Sequence, residues 1–357
     1  MSKSFVPADA AVFDPKNMLF QRLGDSGLRV SRLSLGSWLT YGGTVDEEGT
    51  QALLDQAFKA GINTFDTAET YSGGLAEIAV GKAIKNLKWR RSDVVLITKI
   101  FFGTATSKEP NARGLSRKHI IEGTNDSLER AGLTYWDAVF AHRPDPTVPM
   151  HEIVRAFNHL IDQGKAFYWG TSEWSAQQIE EAHGVAHQLG LIAPICDQAQ
   201  YSALHRERVE VEYAPLYKKY DYGLTIWSPL KSGILTGKYN DATVPSGSRF
   251  ETNAAFFKDS VDKLKTEEGK AELAKVARLG EIAKKLGTST GTLAIAWCLA
   301  NPHVSTVLLG ATKASQLEEN LKAIEVLPKL TSEVLKEIDG ALENVPAHPS
   351  TFGRTPI

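Results

Sequence analysis

The sequence predicts an α/β chain folded as a (β/α)8 barrel of the TIM type, with an N-terminal β-hairpin and long loops. Three observations carry that expectation. Eight short apolar runs alternate with longer amphipathic stretches, the beat of parallel strands joined by helical crossovers. The runs are bounded by glycine or polar residues, as strands buried on both faces should be. No two of the 29 glycines stand two positions apart. The G-x-G-x-x-G fingerprint that an open dinucleotide-binding sheet would carry after its first strand is therefore absent, and so is a Walker sequence.

The elements follow in order. FQRLGDSGLRV spells two short alternating segments around Asp25-Ser26-Gly27, a hairpin. The eight runs are 32–35, 62–66, 94–100, 138–142, 167–171, 195–200, 224–228 and 306–309. Residues 46–60 place acids in a first turn, align Leu53, Leu54, Ala57 and Phe58, and stop at Gly61. A second helical pattern, 116–131, ends at Gly132, and Ser175 with Gln178 three residues on spells a capping box. Helical patterns over about 269–286 and 289–300 precede the eighth run, and another spans 313–324. The segment after the seventh run extends roughly 35 residues before a helix, long enough in a compact barrel to be functional. The chain divides into an arm (1–17), the barrel (18–345) and a tail (346–357).

Composition excludes several classes. At about 150 residues per domain two domains would be the default for 357 residues, but single barrels reach this size. A chain 42% hydrophobic and 23% charged is neither disordered nor fibrous. Forty basic against 42 acidic residues leave a net charge of −2, which argues against nucleic-acid or membrane-surface binding. Lys88–Arg91 reads as a solvated helix end. Cys196 and Cys298 have no CxxC and no histidine at ligand spacing, so neither a disulfide framework nor a metal site is expected. With no apolar leader and no run of 18 apolar residues, membrane insertion is not expected and the cytoplasm is the default location.

In such a barrel, chemistry gathers where the strands end on their C-terminal side. Those ends carry Gly36-Ser37-Trp38, Asp66, Lys99, His142, Ser172-Glu173, Gln198, Trp227-Ser228-Pro229 and Gly310-Ala311-Thr312. Asp66, Lys99 and His142 stand on consecutive strands, and Tyr71 lies five residues past Asp66, able to fold over the same mouth. A lysine buried there needs a carboxylate, and Asp66 is the nearest candidate. A cation beside a phenol favours phenolate, so Lys99 is expected to lower the Tyr71 pKa and make it a general acid useful near neutral pH. His142 can orient a substrate carbonyl by donating to it. Singly, each has a plainer reading: a turn aspartate, a snorkelling lysine, a loop-pinning histidine, a packed tyrosine. Together, at neighbouring strand ends, the four make an active-site inventory.

Seven segments carry a family resemblance. INTFDTAETYSGG, LITKIFFG, VFAHRPDP, FYWGTSEWSAQQI, TIWSPLKSGILTGKY, LAIAWCL and VLLGATKASQLEEN run in order between about Phe20 and Asp339. They resemble the aldo-keto reductase superfamily, and most closely its branch of voltage-gated potassium channel β-subunits. The resemblance implies one barrel that binds NADPH without a Rossmann fold, and a catalytic tetrad at Asp66, Tyr71, Lys99 and His142. Tyr71 would protonate the carbonyl oxygen as hydride leaves nicotinamide C4. It also implies cofactor contacts. Ser37 and Trp38 would border the nicotinamide, with Asp66 beside it, and Ser172 and Gln198 would meet its carboxamide. Trp227 would stack on its ring, and Ser228, Pro229 and Leu230 would line the pyrophosphate. Lys238 and Arg249 would lie in a belt across the cofactor, and Gly310, Thr312, Gln316, Glu319 and Asn320 at the adenosine end. Thr312-Lys313 falls at a predicted helix N-terminus, where amide N–H groups favour an anion. A lysine there suits a 2′-phosphate, hence NADP rather than NAD.

The chain departs from the animal members, which have Asn at His142, Arg at Glu173 and Gln at Thr44. His142 makes this the ordinary reductase tetrad, and the HRPDP and SEWSAQQ spellings look like plant and fungal members. Two functions follow as expectations: an NADPH-dependent reductase of aldehydes or ketones, or a cytosolic channel β-subunit with the nicotinamide as redox sensor. A barrel lyase or aldolase with a Schiff base on Lys99 is a third, which leaves Asp66 and Tyr71 without work. Mouth loops at 38–44, 101–113 and the tail 348–357 would set specificity. Trp38, Tyr41, Phe101 and Phe102 there suggest an apolar or aromatic carbonyl. By resemblance the chain would form a homotetramer.

Overall fold

The computed structural model describes residues 10–104, 109–350 and 352–354. Its frame is a closed barrel of eight parallel strands: β3 (Leu33–Gly36), β4 (Thr64–Asp66), β5 (Val95–Ile100), β6 (Trp136–Ala141), β7 (Ala166–Ser172), β8 (Cys196–Gln198), β9 (Gly223–Ile226) and β10 (Val304–Leu309). β10 pairs with β3, Val307 opposite Leu33, and so closes the ring. Each apolar run of the sequence is one of these strands. An antiparallel hairpin, β1 (Phe20–Arg22) and β2 (Arg29–Ser31), precedes them.

The crossovers are helical: α1 (Glu47–Lys59), α2 (Leu75–Asn86), α3 (Arg117–Ala131), α4 (Met150–Asp162), α5 (Ala176–Leu189) and α6 (Ala214–Tyr220). Local chemistry sets their starts. The Asp46 carboxylate accepts from the Gly49 N–H, and Ser175 with Gln178 makes the full capping box that its spelling promised. Between β9 and β10 lie α7 (Arg249–Thr252), α8 (Lys258–Leu264), α9 (Glu267–Lys285) and α10 (Thr290–Ala300). The long segment after the seventh strand is thus not one uninterrupted loop: a 3-10 turn (Lys231–Thr236), α7 and α8 break it. Phe250, Phe257 and Leu264 pin those short helices by burial. The helical pattern 313–324 also divides, into α11 (Ala314–Leu321) and α12 (Ala323–Val326), and α13 (Ser332–Leu342) follows.

Side chains alternate between the two faces of each strand, and on the inner face Val95, Ile97, Ala138, Phe140 and Cys196 form one cluster, joined by Ile195 just before β8. Leu23 and Val30 of the hairpin join it, so the hairpin plugs the N-terminal end of the barrel. The plug sits close: a Cβ on Gly24, which has φ of 61°, would fall 2.1 Å from the Ile195 carbonyl oxygen. Only glycine fits there. The outer faces pack on the helices through a larger cluster in which Trp136, Trp169 and Trp174 are fully buried. Among the described residues no helix is long and apolar enough to cross a membrane, and no cluster of His, Cys, Asp or Glu could hold a metal.

Candidate active site

One pleat above that apolar floor the inner face changes character. Lys99 follows Ile97 on β5 and is fully buried. Its ammonium donates to Asp66 Oδ1 at 2.5 Å, to the Thr67 carbonyl at 2.8 Å and to the Tyr71 hydroxyl at 3.2 Å. Asp66 ends β4, and its other oxygen accepts from Gln198 Nε2 at 3.0 Å, at the end of β8. Burial opposes the Lys99 charge, but Asp66, with help from Tyr71, outweighs it and raises the lysine pKa. The ammonium therefore keeps its proton, as a paired buried lysine must.

Tyr71 reaches the mouth from a turn whose next residue, Ser72, has φ of 50°. The expectation of a lowered phenol pKa is corrected here. Desolvation is the larger effect and raises it, while Lys99 pulls it part of the way back. Tyr71 thus holds its proton. His142 extends β6 past Phe140, its ring edge-on to Tyr71 at 5.7 Å and to Phe102 at 5.0 Å. Burial, then the positive charges of Lys99 and Arg143, push its pKa well below the usual 6.5, so the imidazole is neutral. Its Nδ1 is buried without a partner among the described residues. The structure thus brings the four residues together: Asp66 and Tyr71 both in contact with Lys99, and His142 facing Tyr71.

The expected cofactor residues spread along the same rim. The Ser172 hydroxyl donates to the Gln198 carbonyl at 3.0 Å and accepts from Arg143 at 3.2 Å. Ser37 is buried beside Asp66, its amide on the Asp66 carbonyl at 3.0 Å and its hydroxyl without a partner among the described residues. Trp38 lies under the Arg249 guanidinium at 5.7 Å and against Phe256 at 5.6 Å, so the segment after β9 reaches the loop after β3. Trp227 follows β9, with Ser228 at φ of 57°, buried Pro229 and half-buried Leu230 after it. A Cβ on Gly310 would meet Arg249 at 3.1 Å. Lys238 lies near enough to Arg249 for the second charge to depress its pKa, after burial, and neither makes an ion pair among the described residues.

The far end is looser. Thr312 donates its amide to the Gln316 side chain at 2.8 Å, and Lys313 stands exposed at the start of α11. Asn320 is buried, and Glu319 is engaged by Thr292 and Lys322. Of the mouth aromatics, Tyr41 is a core residue, 1% exposed, and does not line the mouth. Phe102 is the exposed one at 37%. Parts of the loop at 101–113 and of the tail lie outside the described residues.

Two acids that the sequence left without a role, Glu69 and Asp197, and Glu173 just past β7 are structural anchors of the site. Glu69, fully buried, accepts from the amides of Phe101 at 2.6 Å and Gly103 at 2.9 Å, fixing the loop after β5. Its signal was a second acid three residues after Asp66. Asp197 accepts from Thr171, Tyr213 and the amides of Glu173 and Trp174. Burial raises its pKa to about 7. Glu173 accepts from the Trp227 indole at 2.9 Å.

Comparison with known proteins decides the family. The model of the aldo/keto reductase family matches residues 32–343. The chain belongs to the aldo/keto reductases, an oxidoreductase family. Three relatives are similar over 94% of this chain. A protein of Schizosaccharomyces pombe is 56% identical over 96% of its own length. Proteins of Oryza sativa subsp. japonica and Arabidopsis thaliana are 49% and 48% identical over their full length. All three are provisionally named as voltage-gated potassium channel subunit beta. The branch expected from the sequence is the one these reductase-family relatives occupy.

Proposed function

We propose that this aldo/keto reductase is an enzyme that reduces aldehydes or ketones to alcohols with NADPH. The observation that carries the reading is the Tyr71 hydroxyl, protonated, 3.2 Å from the paired Lys99 ammonium and opposite a neutral His142. The rim suits a phosphate-bearing, amide-tipped cofactor on its own chemistry. Two crowded cations, Lys238 and Arg249, want an anion. The orphaned Ser37 hydroxyl and His142 Nδ1 want hydrogen-bond partners. Ser172 and Gln198 would hold the carboxamide, Trp227 the ring face, Lys238 and Arg249 the phosphates, and Lys313 the 2′-phosphate. NADPH, when bound, supplies the hydride to the carbonyl carbon.

The protein's own residues handle the proton. His142, neutral, donates one N–H to the substrate oxygen and orients it. Tyr71 gives its proton to that oxygen as charge develops. Lys99 then stabilises the phenolate, and Asp66 keeps Lys99 from being an isolated buried cation. In that role Lys99 is not a Schiff-base nucleophile, because its charged form is the one the site maintains. Trp38, Phe101 and Phe102 favour an apolar or aromatic carbonyl. Purified protein given NADPH and a reactive aromatic aldehyde should consume the cofactor; no consumption with any reactive aldehyde would end this reading.

The names of the relatives favour a second role for the same chain, as a cytosolic β-subunit of a potassium channel that senses the nicotinamide redox state. A homotetramer would suit it. Co-purification of a membrane channel with the tagged protein is the expected result, and a histidine at position 142 leaves turnover intact beside it.

A further inference from the structure

Glu173 has no part in the proton chemistry above, yet the fold holds it in an unusual way. Its φ is 60°, in the left-handed region that a side chain with a Cβ rarely enters. The strain is maintained by contacts on every side. Its amide donates to Asp197 at 3.2 Å, and its carbonyl accepts from Arg208 at 3.2 Å. Its Oε2 meets the Arg208 guanidinium at 2.5 Å, on a π-helical turn (Arg208–Glu212). Its Oε1 accepts from the Gln200 amide at 2.6 Å and from the Trp227 indole N–H at 2.9 Å. The carboxylate is thus fixed at the edge of a half-buried indole whose strand leads directly from Thr225, the residue that shares Gln198 with Asp66.

A hydrogen bond from indole N–H to a carboxylate does more than hold the ring. It moves electron density towards the ring faces, and a more electron-rich face attracts a cation more strongly. The two redox forms of a nicotinamide differ in just this property: the oxidised ring is positive, the reduced ring neutral. We propose that Glu173 is a positioning residue that fixes Trp227 and biases the site towards the oxidised cofactor. Arg208 on the other oxygen tempers the bias, so the arrangement is an adjustable one: acid for the indole, base against the acid. The inference rests on the reading that Trp227 faces the nicotinamide.

The test is calorimetric titration of the full-length protein with NADP+ and, separately, with NADPH. Glu173→Gln keeps an acceptor for the indole and removes the charge. It should raise the ratio of the NADP+ to the NADPH dissociation constant about threefold, at the low end of what a cation–ring contact contributes. Arg208→Gln frees the carboxylate from its cation and should move the ratio the other way. Opposite signs from two neutralising changes on one ion pair are not what loss of packing produces. In a Trp227→Leu background the Glu173→Gln shift should vanish, as coupled residues require. Equal weakening of both cofactors by Glu173→Gln, or an unchanged ratio in both variants, would overturn the proposal while Trp227→Leu still weakened binding and so upheld the cofactor reading. No binding of either cofactor, or none affected by Trp227→Leu, would overturn both.

Discussion

The two ends of the barrel are built from the same strands and do opposite things. Near the hairpin, Val95 and Ile97 of β5 meet Ala138 and Phe140 of β6 in a wholly apolar cluster. One pleat higher the same faces present Lys99 and His142, with Asp66 alongside. The lower end does only packing, and the upper end holds a buried ion pair, a protonated phenol and a neutral imidazole. The difference teaches that the apolar floor is part of the chemistry. It removes water from beneath the charges, so Lys99 must find Asp66 and Tyr71 holds its proton.

Removing one member of the pair should have the largest effect on this contrast. Lys99→Met leaves Asp66 buried without its cation and should cost about 3–5 kcal/mol of stability, as broken buried pairs do, besides activity. Lys99→Met with Asp66→Leu, which makes the upper end resemble the lower, should recover most of that stability and none of the turnover. Urea denaturation of the two proteins decides it; a double variant no more stable than the single would mean the pair does not act as a unit.

Phe140→Ala tests the lower end at similar cost to folding. The Phe140 ring fills the space over Gly170, where a Cβ would fall 2.8 Å from it. The cavity should cost about 3–5 kcal/mol. Below the unfolding temperature, the effect on cofactor affinity should be small. A variant of unchanged stability that lost the cofactor would erase the division between the two ends.

The smallest effect concerns pH. Burial holds the His142 pKa well below 6.5, the value it regains on unfolding. As pH falls below about 6.5, the unfolded chain takes up a proton that the folded His142 refuses, so stability declines; above it the contribution is fully restored. His142→Gln should flatten that part of the stability curve. A curve of unchanged slope would place the histidine in a wetter setting than the one described.

Much of this was legible in the residue pattern, and the exceptions have physical causes. All eight strands could be read because burial on both faces leaves continuous apolar runs. Lys99 and His142 stood out as polar residues at the ends of the third and fourth runs. The short helices α7 and α8 could not be read, because a few buried residues such as Phe250 and Phe257 hold them and their other faces are wet. Nor could the anchoring of Glu69 and Asp197, whose donors are backbone amides or come from distant positions such as Tyr213. The Tyr71 pKa ran opposite to expectation because sequence shows which charge is near but not how much water has been removed. Tyr41 was an aromatic in a mouth loop by position and a core residue by packing.

The central claim is that the upper end moves a proton through Tyr71. The direct measurement is oxidation of NADPH in the presence of a reactive aromatic aldehyde by the wild-type protein and by Tyr71→Phe, with NADPH affinity measured on both. Turnover in the first, a loss of about 10²–10⁴-fold in the second and unchanged NADPH affinity are expected of a general acid. Equal turnover by the two proteins would contradict the account.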